Sequence, residues 1–380
     1  VIAGGGTGGH VVPSLQIARA LVERGHAATS VEFYGSRRGQ EASIWPGLEF
    51  PFTLLPGRGI RRSLRPDALW ANAGASIGLV WATASSLVSF LTRRPRAVVV
   101  VGGYASFPAG LAALVTRVPT ILVNTDAVPG AVNRLFGRFA TAAAVAFPGT
   151  DLPRAQVTGT PVRPELGSLD RSDAGQREAK TMLGLPTDRP TVAAVGGSLG
   201  ARRINAAVAD LAARWRDRKD IALYHVTGRR DYTQFAVRPG GAGEAGDKNG
   251  ARDKNGAGLD YVVVPFEERM PVLYRAADLF VCRAGAMTVA ELLVCGVPSI
   301  LVPLPGAPGD HQTRNAEALV AAGAAILVPD AECTAERLET EVGALLADAD
   351  RLAVMGQAAR RVGHLDAAAR VAELVDAHAA

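Results

Sequence analysis

Cysteine is nearly absent from this chain, and the three present are isolated. Cys282, Cys295 and Cys333 form no Cys-x-x-Cys pair. That argues against a disulfide framework or a cysteine zinc site and fits a reducing compartment. Aromatic residues are only 6% of the chain, and no lysine–arginine run is interleaved with them. With no zinc-finger spacing either, nucleic acid is not an expected partner. Charge of one sign is not in large excess. The net +5 leaves an anionic membrane surface or a phosphorylated substrate as the partners it could serve. The chain opens on an apolar strand and a glycine loop, which predicts no secretory leader. It begins with Val1, not Met, which predicts that a few residues are missing.

What is present is an α/β pattern. The 380 residues suffice for two domains, and 48% are hydrophobic, enough for a substantial core. Short Val/Ile/Leu runs stop at glycine or proline and are followed by Ala/Leu/Arg helical patterns, the signature of parallel strands covered on both faces. A strand ending at Ala3 meets a glycine loop, Gly4 to Gly9, with a helix expected from about Pro13 to Arg24. The pattern restarts after Pro161 and Pro164. There a strand over Thr191–Val195 meets Gly196-Gly197-Ser198-Leu199-Gly200 and a helix beginning near Ala201.

Two stretches stand apart. Ala68 to Thr92 carries no charged residue and is long enough to span a bilayer. However, Asn, Ser and Thr punctuate it, and Ile77, Val80, Trp81, Ala84, Leu87, Val88 and Leu91 recur at helical spacing. The leading expectation is a packed helix with these residues facing the core, the alternatives being a helix partly exposed to lipid and a transmembrane span. Residues 239–258 are rich in glycine and charge and nearly repeat a six-residue unit, which predicts a flexible surface insertion.

Several constellations could carry chemistry. Gly4-Gly5-Gly6-Thr7-Gly8-Gly9 fits G-x-G-x-x-G between strand and helix, where backbone N–H groups can approach a diphosphate. A dinucleotide site is the rival reading, with Glu32 in the next strand and Arg37 and Arg38 after it. His10 follows the loop. It is either a base beside a bound anion or a histidine that bonds the loop backbone. Arg283-Ala284-Gly285-Ala286-Met287-Thr288 is a further glycine turn. Glu291 then lies in the following helix, either to hold ribose hydroxyls or to complement the helix dipole. Asp310 is placed to N-cap another helix. His311, Gln312 and Asn315 are expected on its exposed first turn, for sugar hydroxyls or as ordinary capping polarity.

Taken in order, these motifs are specific. The six are Gly4–His10, Gly102-Gly103-Tyr104-Ala105-Ser106, Val157–Arg163, Gly196–Ala201, Arg283–Glu291 and Asp310-His311-Gln312. The chain resembles the MurG-type peptidoglycan N-acetylglucosaminyltransferases of glycosyltransferase family 28, over Val1 to about Val328. The resemblance implies an α/β fold of the GT-B class: two Rossmann-like domains with parallel sheets facing a central cleft. The expected division is residues 1–162, residues 163–353, and a helical segment, 354–380, returning to the first domain.

The resemblance also implies roles. Thr7, Gly8 and Gly9 would hold phosphate or sugar groups on the lipid-acceptor side. Arg163 and Ser198 would meet the donor diphosphate, and the backbone near Phe266 and Glu267 the uracil. Ala286, Met287, Thr288, Val289, Ala290 and Glu291 would line the nucleotide, with Glu291 on ribose. Gln312, and His311 with it, would hold N-acetylglucosamine hydroxyls. His10 would be the base in an inverting displacement from UDP-GlcNAc onto the muramyl 4-hydroxyl of an undecaprenyl-linked acceptor, giving lipid II. No cofactor or metal is called for. One segment departs from the family pattern His-Glu-Gln-Asn, reading Val123-Asn124-Thr125-Asp126. A carboxylate, Asp126, stands where an amide is expected, and an ionised carboxylate accepts but cannot donate.

Arg58, Arg61, Arg62 and Arg65 precede the uncharged helix, and Arg93, Arg94 and Arg96 follow it. They read as solvated helix ends or as a docking rim for anionic lipid. The resemblance implies a peripheral position on the cytoplasmic face of the cell membrane, among cell-wall synthesis proteins. The alternatives left open are a divergent transferase using another UDP-sugar or lipid, a non-catalytic UDP-sugar-binding protein, and an NADP oxidoreductase.

Overall fold

A strand covered by helices on both sides has no polar face to keep, so its sequence is apolar throughout. The strands here obey that rule: Val98–Gly102, Thr120–Asn124 and Ala222–Val226 are buried along their whole length. The computed structural model describes residues 1–56, 66–197, 200–236, 251–252 and 258–379, with only the backbone over 66–73 and 251–252. The chain divides into two units, Val1–Arg163 with His364–Ala380, and Pro164–Gly363.

The first unit runs β1 (Ile2–Gly4), α1 (Gly8–Glu23), β2 (Phe33–Ser36), α2 (Glu41–Ile44), β3 (Phe52–Leu55), α3 (Pro66–Arg93), β4 (Val98–Gly102), α4 (Phe107–Thr116), β5 (Thr120–Asn124), α5 (Ala131–Phe136), β6 (Ala142–Val145) and β7 (Ala155–Val157). Its strands are all parallel, in the order β3-β2-β1-β4-β5-β6-β7. The second unit runs α6 (Asp173–Leu183), β8 (Thr191–Val195), α7 (Arg202–Arg214), β9 (Ala222–Val226), α8 (Tyr232–Ala236), β10 (Ala251–Arg252), β11 (Asp260–Val264), α9 (Met270–Ala276), β12 (Leu279–Cys282), α10 (Ala286–Cys295), β13 (Ser299–Leu301), α11 (His311–Ala321), β14 (Ala325–Leu327), α12 (Ala335–Leu346) and α13 (Ala349–Val362). Its order is β10-β11-β9-β8-β12-β13-β14, parallel except for the antiparallel edge β10. The last helix, α14 (Ala367–His378), belongs to the first unit.

Both orders reverse direction beside their first strand, between β1 and β4 and between β8 and β12. In open parallel sheets ligands bind at the carboxyl ends of the strands where this reversal opens a crevice. The glycine segments that follow β1, β4, β8 and β12 therefore lie at the two places where the topology makes room.

In the first unit, alternate strand residues feed two cores. Ile2, Val99, Val101 and Ile121 pack with Ile17 and Leu21 of α1 and Val371 and Leu374 of α14. Ala3, Val98, Val100 and Leu122 pack with Ala82 and Phe90 of α3 and Ala109 and Ala113 of α4. The returning helix α14 thus covers part of the first unit's sheet. Asp376 fastens it, 2.6 Å from Arg24 Nε and 2.7 Å from His26 Nε2. At the chain crossing, a Cβ on Gly159 (φ +82°) would sit 2.3 Å from His364 Cβ, so only glycine fits.

Helix α3 corrects the sequence expectation. Ile77, Val80, Trp81, Val88 and Leu91 are 59–72% exposed, Ala84 is exposed, and only Leu87 of that stripe is half-buried. The buried face is Ala75, Ala82, Ser86 and Phe90. Small residues let α3 lie close against its neighbours, and Ser89 Oγ meets Tyr34 OH at 2.6 Å. The periodicity was real, but its larger side chains face outward. Val115, Leu135 and Phe139 of the same unit are also more than half exposed. Arg58, Arg61, Arg62 and Arg65 lie outside the described residues. So does most of 239–258, where Ala251–Arg252 nonetheless form the edge strand β10.

Candidate functional site

The first glycine segment is organised around a carboxylate. Glu41, on the one-turn helix α2, is fully buried. Its Oε2 accepts from Gly6 N–H at 2.8 Å and its Oε1 from Ser36 N–H at 2.9 Å. A Cβ on Gly5 or Gly39 would lie 2.2 or 2.0 Å from this carboxylate, so the glycines exist to admit it. A dinucleotide diphosphate there would meet a negative charge and an amide already bonded. Glu32, the rival's ribose ligand, is also committed, to Arg93 Nη1 at 2.7 and 2.8 Å and to Thr53 Oγ1 at 2.8 Å.

Helix α1 begins at Gly8, five residues before the expected start at Pro13. Thr7 takes the extended N-cap conformation and its carbonyl accepts from His10 and Val11 N–H. His10 therefore sits in the first helical turn and not after a loop. The Thr7 side chain makes no backbone cap, and its Oγ1 is 3.4 Å from His10 Nδ1. The amides of Gly8 and Gly9 remain uncapped by a side chain, as a helix end that receives an anion requires.

The half-buried imidazole lies over Gly102 and Gly103, whose φ values are +110° and +75°. A Cβ on either would come 3.2 Å from His10, at Nε2 for Gly102 and at Nδ1 for Gly103. Burial pushes the His10 pKa down. The negative charge of Asp126, the accepting backbone carbonyl of Gly5 and the charge of Glu41 partly oppose this. So the Val123–Asp126 segment, which departs from the family pattern, puts its carboxylate in the field of the histidine. The segment is braced from within. Asn124 Nδ2 donates to Asp126 O at 2.6 Å, and Asn133 Nδ2 to Val123 O at 2.9 Å and to Asn124 Oδ1 at 3.1 Å. Arg163 is half-buried at the end of the unit.

In the second unit, the turn after β8 closes on a polar network. A Cβ on Gly196 would lie 2.6 Å from Ala201 N, and one on Gly200 (φ +76°) 2.5 Å from Thr227 O. Asn205 Nδ2 donates to Thr227 O at 2.8 Å, so its Oδ1 faces buried His225 Nε2 at 3.0 Å as acceptor. Nε2 then carries the proton, and in the neutral ring Tyr261 OH donates to Nδ1 at 2.8 Å. Arg230, with Arg202 assisting, holds the Asp231 carboxyl below its ordinary range against the effect of burial. Ser198 lies outside the described residues.

Helix α10 has Gly285 at its N-cap and α7 has Ala201, and neither supplies a side-chain cap. By contrast α6, α12 and α13 are capped by Ser172, Thr334 and Asp348. Ala286, Met287 and Thr288 are half-buried, while Val289 and Ala290 turn into the core. Glu291 accepts from Tyr274 OH at 2.8 Å. Burial, then the Glu291 charge, pushes the Tyr274 pKa well up, so the phenol stays a donor. The α10 turn is held by Arg283, whose Nη1 donates to Val302 O and Pro303 O at 3.0 Å and to Asp330 Oδ1 at 2.6 Å.

The Asp310 region brings two corrections. Asp310 makes no backbone cap. It is left-handed (φ +52°), and its Oδ1 accepts from Thr313 Oγ1 at 2.7 Å. Asn315 is not on the exposed turn but fully buried, donating to Ala284 O at 3.0 Å. Gln312 Oε1 accepts from Leu304 N–H at 3.0 Å, and His311 Nδ1 lies 2.9 Å from Pro308 O. The Glu267 side chain is buried and bonded to Tyr224 OH, Arg269 N–H (2.7 Å) and Arg269 Nε (3.1 Å). Neighbouring Phe266 is 43% exposed, with the Arg229 guanidinium 5.1 Å over its ring.

Glu41, Asn133 and Tyr274 were not singled out in the sequence. A glutamate two residues after Gly39 and four before Trp45 was the only trace of Glu41. The other two read as ordinary helix residues.

Comparison with known proteins bears on the family and the fold. The glycosyltransferase family 28 N-terminal domain model matches residues 1–145, and the family 28 C-terminal domain model residues 191–371. A relative from Alkalilimnicola ehrlichii, named UDP-N-acetylglucosamine–N-acetylmuramyl-(pentapeptide) pyrophosphoryl-undecaprenol N-acetylglucosamine transferase, is 41% identical over 98% of this chain and 97% of its own. One of the same name from Desulforudis audaxviator is 37% identical over 99% and 97%. The crystal structure of Acinetobacter baumannii MurG superposes with a TM-score of 0.74 at 29% identity, covering 99% of this chain and 98% of that one.

Proposed function

The chain belongs to glycosyltransferase family 28, and from that membership we propose that it moves N-acetylglucosamine from UDP-GlcNAc to the muramyl 4-hydroxyl of undecaprenyl-pyrophosphoryl-MurNAc-pentapeptide. The observation that carries the reading is the inequality of the two glycine segments. The first is filled by Glu41 and presents an imidazole. The second unit offers uncapped helix ends beside a carboxylate, Glu291. One suits a hydroxyl that must lose a proton, the other a nucleoside diphosphate.

The reaction is an inverting displacement in which His10 takes the acceptor proton as the 4-hydroxyl attacks the anomeric carbon. UDP leaves, its charge met by the α10 amides, and by Ser198 in the same reading. Glu291 receives the ribose hydroxyls, held in place by Tyr274. The backbone at Phe266 and Glu267 meets uracil. Gln312, its oxygen engaged by Leu304 N–H, turns its amide donor to the sugar, with His311 beside it. Thr7, Gly8 and Gly9 hold acceptor phosphate or sugar groups, and Asp126 tunes His10.

The exposed face of α3 is the surface by which the protein rests on an anionic membrane. Five large apolar side chains brought out of water at about 2 kcal/mol each would contribute on the order of 10 kcal/mol. Radiolabelled transfer from UDP-GlcNAc to lipid I tests the activity directly, with UDP-glucose as the competing donor. In that assay His10→Ala should cut turnover about 100-fold or more while UDP still binds. Transfer from UDP-glucose alone, or full turnover without His10, would overturn the corresponding assignment.

A further inference from the structure

The Gly5–Gly6 peptide unit has its N–H engaged and its carbonyl beside His10. Its N–H is held by Glu41 Oε2 at 2.8 Å. Its carbonyl side faces His10: a Cβ on Gly103 would lie 2.6 Å from Gly5 O and 3.2 Å from His10 Nδ1, so both atoms border the same small space. The Gly5 carbonyl, as an acceptor, favours the protonated ring. Glu41 is itself immovable. It is fully buried, its other oxygen is fixed by Ser36 N–H at 2.9 Å, and Gly5 and Gly39 close around it.

We infer that Glu41 is a positioning residue for His10, acting through the Gly5–Gly6 peptide. The carboxylate anchors and polarises the peptide at its N–H, and the carbonyl of the same peptide holds His10 Nδ1–H. Hydrogen bonds in such a chain strengthen one another. The consequence is a chosen tautomer. With the proton on Nδ1, the lone pair is on Nε2, the nitrogen on the Gly102 side. No proton passes through the peptide. Nε2 takes the proton of the attacking hydroxyl, and the ring becomes an imidazolium stabilised by the carbonyl and the buried charge behind it. The glycine loop in this unit thus serves to connect an internal carboxylate to a base, and its Gly6 amide is unavailable to an external anion.

The inference rests on His10 being the base, and the measurements separate the two. In protein labelled with 15N-histidine, above the pH at which His10 titrates, the His10 signal (identified by its loss in His10→Ala) should report the Nδ1–H tautomer. A dominant Nε2–H tautomer would overturn the relay whatever His10 does in turnover. In Glu41→Gln the amide gives one of the two backbone donors no acceptor. The expected result is a roughly 10- to 100-fold fall in kcat with the KM for UDP-GlcNAc within about twofold. The acid limb of kcat/KM should move to lower pH, because a negative charge that favours protonated His10 is gone. Unchanged kcat with an unmoved limb would overturn the proposal. If Glu41→Gln does not fold, the tautomer in the unaltered protein decides. If His10→Ala retains full turnover, the base assignment falls, and with it this role for Glu41.

Discussion

His10 is balanced between opposing influences, and the balance predicts its behaviour. Burial lowers its pKa, while Asp126 and Glu41 raise it. A base must be neutral to act, so kcat/KM should fall toward acid with its limb below the ordinary histidine value of 6.5. Asp126→Asn removes the largest charge supporting the protonated form. The limb in that variant should move further down in pH, and a limb that stays in place would detach Asp126 from the base. The same titration enters stability. His10 and His364 both have folded-state values below 6.5. Their contribution is complete above the unfolded value of about 6.5 and is lost as pH falls through the folded values. Thermal melts of the first unit should therefore weaken below about pH 6.5. Tyr274 offers a residue-scale test in the other unit. Tyr274→Phe removes one donor to Glu291 and should raise the KM for UDP-GlcNAc by about tenfold, the loss of one hydrogen bond to a charged group, with kcat little changed.

At the scale of elements, the decisive case is α3. Its periodicity was legible, but which side faces the core was not, because a stripe of small residues can pack as well as a stripe of large ones. Ala75, Ala82 and Ser86 approach the neighbouring layer closely, and that leaves Ile77, Val80 and Trp81 outside. Replacing Ile77, Val80 and Trp81 together by serine should abolish sedimentation with anionic vesicles and leave the melting temperature nearly unchanged, since these side chains contribute little to the core. A variant that melts early would show that the face is packed after all. Helix α1 teaches a similar lesson. Pro13 looked like a helix start, yet Thr7 supplies the N-cap backbone and the helix carries the proline inside it. That placement moves His10 from a loop to a rigid turn, an advantage for a base that must be held to within a fraction of an ångström.

For the molecule as a whole, the sheet orders explain why distant segments act together. The glycines after β1 and β4 are about a hundred residues apart in sequence, yet β1 and β4 are hydrogen-bonded neighbours. The first unit also depends on the far end of the chain. Val371, Leu374 and Val375 of α14 are buried in its core, and Asp376 pins the helix to Arg24 and His26. A chain ended at Gly363 should lose the unfolding transition of the first unit by several kcal/mol of lost burial. UDP binding should persist in the second. Calorimetry that shows two intact transitions would refute this dependence of the first unit on α14.

Local pattern alone determined the alternation of strands and helices, the repeated glycine turns, and the motifs that mark the family, because periodicity and glycine placement are properties of neighbouring residues. His10, Glu291 and Gln312 could be proposed as site residues for the same reason: each lies within a short motif. Only the tertiary structure decided what those residues touch. Glu41 reaches Gly6 across 35 positions, Tyr274 reaches Glu291 from another helix, and Asp126 comes into the field of His10 from a different strand end. Such contacts follow from strand order and close packing, which bring together residues whose separation in sequence carries no trace of the meeting.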